Sequence, residues 1–172
     1  MSEEHRHYLI WEQGVGAGII NLVLNGLIAC ALFRHLAIVP LWGDESIAGD
    51  TFATSFLLPL ITSLIVTGLA RREVTRGRFP GPAWRRAAHP VLGRLPGGRF
   101  LRGLVLGLAC LVLLAPPTLT LLGAVGLDSM RFWSFIAFKA VYAGLLGALV
   151  TPLIALCALG DAVPAPAARG SA

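Results

Sequence analysis

Four long apolar stretches, at 15–33, 52–70, 104–125 and 132–159, take up about half of this chain. Each reaches the roughly 20 residues that cross a hydrocarbon core of about 30 Å as a helix rising 1.5 Å per residue. Runs of that length, separated by short polar breaks, leave no room for a soluble domain beside them. The chain therefore reads as all-α: a polytopic membrane protein of four transmembrane helices in one membrane domain spanning 1–172. Composition agrees, since 13% of residues are charged where soluble proteins carry about a quarter. Mean hydropathy is +0.76. The segment before the first run carries Glu3, Glu4 and Glu12, where a removed signal peptide would have a positive region. LIAC at 27–30 resembles a lipoprotein cleavage box, but the apolar run continues past Cys30.

Arginine orients the spans. The segment 71–102 contains nine arginines against one acid, Glu73. Loops of this kind stay on the cytoplasmic side. With four spans, both termini are then expected on the cytoplasmic side of a bacterial-type inner membrane. The loop 40–50, with Asp44, Glu45 and Asp50, faces outward. Trp11 near one face and Trp42 and Trp133 near the other fit an interfacial aromatic belt. The net charge of +5 belongs to the arginine loop, so it argues for anionic lipid headgroups as partners and not for nucleic acid. The candidate headgroup contacts are Arg71, Arg72, Arg76, Arg78, Arg85 and Arg86. Pro80, Pro82, Pro90 and Pro96 break the loop, leaving room for a short interfacial turn over 84–88. The tail 161–172 reads as disordered.

Polar groups inside the runs are the candidates for function, because lipid offers them no partner. Asn21 and Asn25 share a face of the first span with Gly14 and Gly18. They can tie helices together by hydrogen bonds across the contact, or line a polar path. Thr62, Ser63 and Thr67 on the second span are the expected partners. Lys139 is the only lysine in the chain and lies seven residues into the fourth run, one turn before Tyr142. About 9 Å below the interface set by Trp133, it is expected either to snorkel toward water on its long stem or to be held in an ion pair. Its expected counter-charges are Asp44, Glu45 or Asp50, with Arg34 and His35 nearby. By these boundaries no span contains an acid.

Other chemistry finds little support. His5, His7, His35 and His89 are not mid-membrane, so an embedded haem is not expected. Cys30, Cys110 and Cys157 stand alone and read as small apolar fillers. No phosphate loop, GxSxG or HExxH is present. No catalytic residue, cofactor or metal is therefore expected.

Pro59, Pro152 and Pro116–Pro117 interrupt the spans, each releasing a backbone carbonyl. PLI recurs at 59–61 and 152–154, a shift of 93 that also lays Gly14 on Gly107. The spans can thus be read as two tandem, pseudo-repeated helical hairpins. The leading functional expectation is a non-enzymatic membrane protein. It would pack with itself as a homo-oligomer, or with other membrane subunits, through the small faces of its first, third and fourth spans. The alternative is a small oligomeric transporter or channel, with Asn21 and Asn25 as its mid-membrane site and Lys139 and Tyr142 at its outer mouth. A lipid-acting enzyme is a weaker third.

Overall fold

The computed structural model describes residues 7–76 and 92–161, apart from the side chains of 73–75. Four helical segments in it are long and apolar enough to cross a membrane: Tyr8–Phe33, Ile47–Arg72, Arg99–Ala124 and Phe132–Asp161. The first begins with π-helical turns over Tyr8–Gly16 and continues as α1, Ala17–Phe33. Helix α2 runs Ile47–Thr75 and carries Pro59. The third segment breaks in two, α3 over Arg99–Leu113 and α4 over Ala115–Ala124, just before Pro116 and Pro117. Prolines suit the first turn of a helix, where no backbone donor is lost, so a break there relieves them. Helix α5, Phe132–Asp161, continues through Pro152.

Helix α5 is the hub. Its best span window is two-thirds buried, against a third or less for the others. The first segment packs along α5, α2 packs on both α5 and α3, and α1 and α2 lean on α5 without packing along each other. Three apolar clusters follow the bundle from end to end. Phe33, Val39, Ile47, Leu119 and Phe135 fill one end. Leu58, Leu106, Leu146 and Val150 occupy the middle, and Tyr8, Leu9 and Leu159 the other end. The outward surface is apolar too, with Ile19, Ile20, Leu27, Ile65, Val112 and Leu145 exposed. A belt of that extent is far larger than a water-facing surface tolerates.

Two short strands add to the all-α expectation. β1 (Ile38–Pro40) and β2 (Ser129–Arg131) pair antiparallel, Val39 opposite Met130. Flanking bonds, Leu41 N–H to Asp128 O at 2.8 Å and Phe132 N–H to Ala37 O at 3.0 Å, extend the ribbon. It satisfies backbone groups of the two loops, one between α1 and α2 and the other between α4 and α5, that would otherwise lack partners. This is the ribbon end of the bundle; the other is the arginine end.

Close approach of the helices rests on glycine. A side chain at Gly107 would stand 2.6 Å from the carbonyl oxygen of Phe56, and one at Gly103 would stand 3.0 Å from that of Leu60. Gly18 and Gly144 make the same kind of contact between α1 and α5, and Gly147 receives the Asn21 amide. The small faces are therefore used within the chain, α1 against α5 and α3 against α2. Gly107→Ala is expected to destabilise the bundle by about 1–3 kcal/mol, the range for overpacking. Gly123→Ala has nothing within 4 Å and should be neutral or slightly stabilising. Equilibrium unfolding in mixed micelles with rising SDS compares the two.

Candidate functional site

The helix that supplies the site starts earlier than its apolar run. Ser46 Oγ accepts the Gly49 N–H at 3.1 Å, and the Ser46 carbonyl accepts the Asp50 N–H at 3.1 Å. This cap sets the beginning of α2 at Ile47, so Asp50 falls in its first turn. The expectation of spans free of acid is corrected accordingly. A boundary drawn at the last charge missed a helix that continues through that charge. The position also suits a carboxylate, since the N-terminus of a helix carries partial positive charge.

Lys139 is not snorkelling. Its side chain is 5% exposed, and Nζ lies 2.6 Å from both carboxylate oxygens of Asp50, itself 10% exposed. Its third donor reaches the hydroxyl of buried Thr54, one turn further along α2. Of the three expected counter-charges, Asp50 takes the lysine. Glu45 pairs with His35 at 2.8 Å on the surface. A buried charge must be paired and hydrogen-bonded to be tolerated, and all three ammonium donors are used here. The stem therefore has no reason to seek water.

The pair stands at the ribbon end of a cleft of about 280 Å³ between α1 and α2, floored by α5. Asn21, Leu24, Asn25, Ile28 and Leu32 form one wall. Asp50, Ala53, Thr54, Leu57, Leu58, Ile61 and Thr62 form the other. The structure thus brings Asn21, Asn25 and Lys139 to one cleft. Tyr142 is absent from its lining; the phenol instead meets the Ser55 hydroxyl at 2.6 Å.

The asparagines do not tie helices together by hydrogen bonds. Asn21 Nδ2 donates to the Ala17 carbonyl at 2.9 Å and Asn25 Nδ2 to the Asn21 carbonyl at 3.0 Å, both one turn back on α1. Of their expected partners, Thr62 lines the same cleft, Ser63 donates to the Arg99 carbonyl at 2.8 Å, and the buried Thr67 hydroxyl has no partner. Thr118 bonds back to its own helix, its hydroxyl donating to Leu114 O at 2.8 Å, whereas the buried Thr151 hydroxyl beside Pro152 has no partner.

Sequence reasoning overlooked a second charged contact. Arg102, counted among the loop arginines, lies in α3 and is fully buried. Its Nε donates to Pro96 O at 3.1 Å and its Nη2 to Gly97 O at 3.3 Å, while Nη2 also pairs with Asp161 at the end of α5. A cation at a helix start and an acid at a helix end each oppose the local dipole, and here each compensates the other. That opposition was the available signal in the sequence. Arg71, Arg72 and Arg76 are exposed at the arginine end; Arg78, Arg85 and Arg86, the 84–88 turn, His5 and the tail 162–172 lie outside the described residues. Among the described residues no group of three His, Cys, Asp or Glu side chains stands together as a metal site.

Comparison with known proteins finds no matching family model, curated protein or solved structure.

Removing one member of the buried pair strands the other. Lys139→Met is expected to cost about 3–5 kcal/mol, and Lys139→Met/Asp50→Leu to recover most of it. SDS unfolding of both variants measures this; equal loss in single and double variants would show that the pair is not the source.

Proposed function

We propose that the chain is a non-enzymatic, multi-pass protein of a bacterial-type cytoplasmic membrane that takes up a small amphiphilic solute through the α1–α2 cleft. The observation that carries this reading is the placement of the Lys139–Asp50 pair at the head of a cleft open on its side. A polar site reached between two apolar helices is accessible from a bilayer, without an aqueous path through the bundle. Packing with partner subunits through the small faces is less favoured, because Gly103, Gly107, Gly144 and Gly147 already meet neighbouring helices of the same chain. In this reading the arginine end is cytoplasmic, as are both termini. Exposed Arg71, Arg72 and Arg76 would then rest on anionic headgroups, each worth about 1 kcal/mol. Since one copy leaves the cleft open, passage across the membrane would require a second copy to close it.

The tandem repeat belongs to the same proposal. Each half runs helix, short strand, helix, and the two strands pair with one another. The first segment packs on α5 as α3 packs on α2. The shift of 93 that carries Pro59 onto Pro152 sets Ser46 against Lys139 and Asp50 against Ala143. The charged pair would then draw one member from each half, Asp50 from the first and Lys139 from the second, with no equivalent pair at the positions the shift relates to them.

Native mass spectrometry of protein released in gentle detergent tests the function. Wild type is expected to keep a small-molecule adduct that Ala53→Phe, which fills the cleft without touching the ion pair, loses. A stoichiometric foreign protein with no adduct on either form would instead make this chain an accessory subunit.

A further inference from the structure

The cleft has the length of one leaflet. From Asn21 to Leu32 along α1, and from Thr62 to Asp50 along α2, its walls rise about 16–18 Å at 1.5 Å per residue. Half of a hydrocarbon core is about 15 Å. Its walls between the ends are mainly leucine and isoleucine, and its charged end is the ribbon end. That shape suits one extended hydrocarbon chain lying along the cleft, with its head beside Asp50.

Hydrogen-bond capacity decides what the head can be. An ammonium has three donors and no acceptor. Those of Lys139 go to Asp50 Oδ1, Asp50 Oδ2 and the Thr54 hydroxyl. None remains for an anionic head unless the pair breaks. A carboxylate offers about four lone-pair sites, and the lysine takes one on each oxygen of Asp50. The cleft therefore presents spare acceptors, at Asp50, next to a pair with no net charge. A carboxylate head would meet a carboxylate. An ammonium head would meet Lys139. A neutral hydroxyl can donate to Asp50 without opposing either charge.

Resting on the cleft reading above, we propose that the ligand is a neutral single-chain amphiphile with a hydroxyl head, of the long-chain alcohol or monoacylglycerol class. It enters sideways between α1 and α2 and donates its hydroxyl to Asp50.

The test uses dodecanol, dodecylamine and dodecanoic acid, each carrying the same diazirine in its chain, added to full-length protein in phosphatidylcholine vesicles. After illumination, peptide mass spectrometry locates and quantifies the label. The alcohol should label the Leu24, Leu57 and Ile61 region at least about tenfold more than the acid, the ratio set by one charge-assisted hydrogen bond. It should also exceed the amine, and Ala53→Phe should abolish cleft labelling by all three. In Asp50→Asn the lysine loses its counter-charge, and the preference should invert toward the acid. If that variant fails to accumulate, Asp50→Leu/Lys139→Met carries the test, with the alcohol-to-acid ratio falling toward one. Equal labelling by all heads, or a preference for amine or acid in wild type, would overturn the hydroxyl assignment and leave the cleft reading standing. Labelling confined to the outward residues Ile19, Ile20 and Val23 would overturn both.

Discussion

An ammonium group enclosed between apolar helices must find every partner it needs within the protein, and the Lys139–Asp50–Thr54 contact meets that demand. The lysine comes from α5, and both its partners come from the first two turns of α2. Three charge-assisted bonds between two helices fix where they cross and how each is rotated. The beginning of α2 is fixed by the same contact, because Asp50 must be helical to stand one turn from Thr54. Ser46, which caps that helix, and the ribbon, which brings the loop before it against the start of α5, both serve this geometry. A buried pair of this kind adds little net stability over apolar side chains of equal size, but breaking it is costly.

Glycine supplies the complementary constraint. Where α3 meets α2 and α1 meets α5, backbones approach until a single methyl group would collide with a carbonyl or a side chain. Association of helices in lipid depends on such packing, since lipid tails are as apolar as leucine and give no hydrophobic drive. These two tight contacts occupy opposite sides of the bundle and leave α1 and α2 apart. The cleft is what remains when α1 packs on α5, and α2 packs on α3 and α5, without packing along each other. Its polar end coincides with the ion pair because Asp50 lies on the α2 wall, facing Lys139 across the floor.

The ends of the bundle are closed by different means. At the ribbon end, paired backbone and the Phe33–Phe135 edge contact, with ring centres 4.7 Å apart, hold the loops. At the arginine end, Arg102 draws the carbonyls of Pro96 and Gly97 and the carboxylate of Asp161 together, joining the start of α3 to the end of α5.

Length, hydropathy and small-residue spacing were enough to define four helices, the break at Pro116–Pro117 and the glycine faces, because these are local properties of the backbone and of side-chain volume. The same reading located Lys139, Asn21 and Asn25 as unusual polar positions, and Asp50 among the lysine's possible counter-charges, but it did not choose among their partners. Whether a lysine reaches water or a carboxylate depends on which helix lies beside it, and Asp50 is 89 residues away in the chain. The asparagines read as interhelical ties because spacing shows a shared face and not a donor's choice; a carbonyl one turn back was closer. Arg102 looked like one more loop charge until the end of α5 stood against it. The sequence alone determined the four long helices, since length and hydropathy are written along the chain, but not the ribbon, whose two strands lie about 90 residues apart. The tertiary structure decided which charges are paired, which small faces are occupied and where the cleft opens, because each of these depends on contacts between residues distant in sequence.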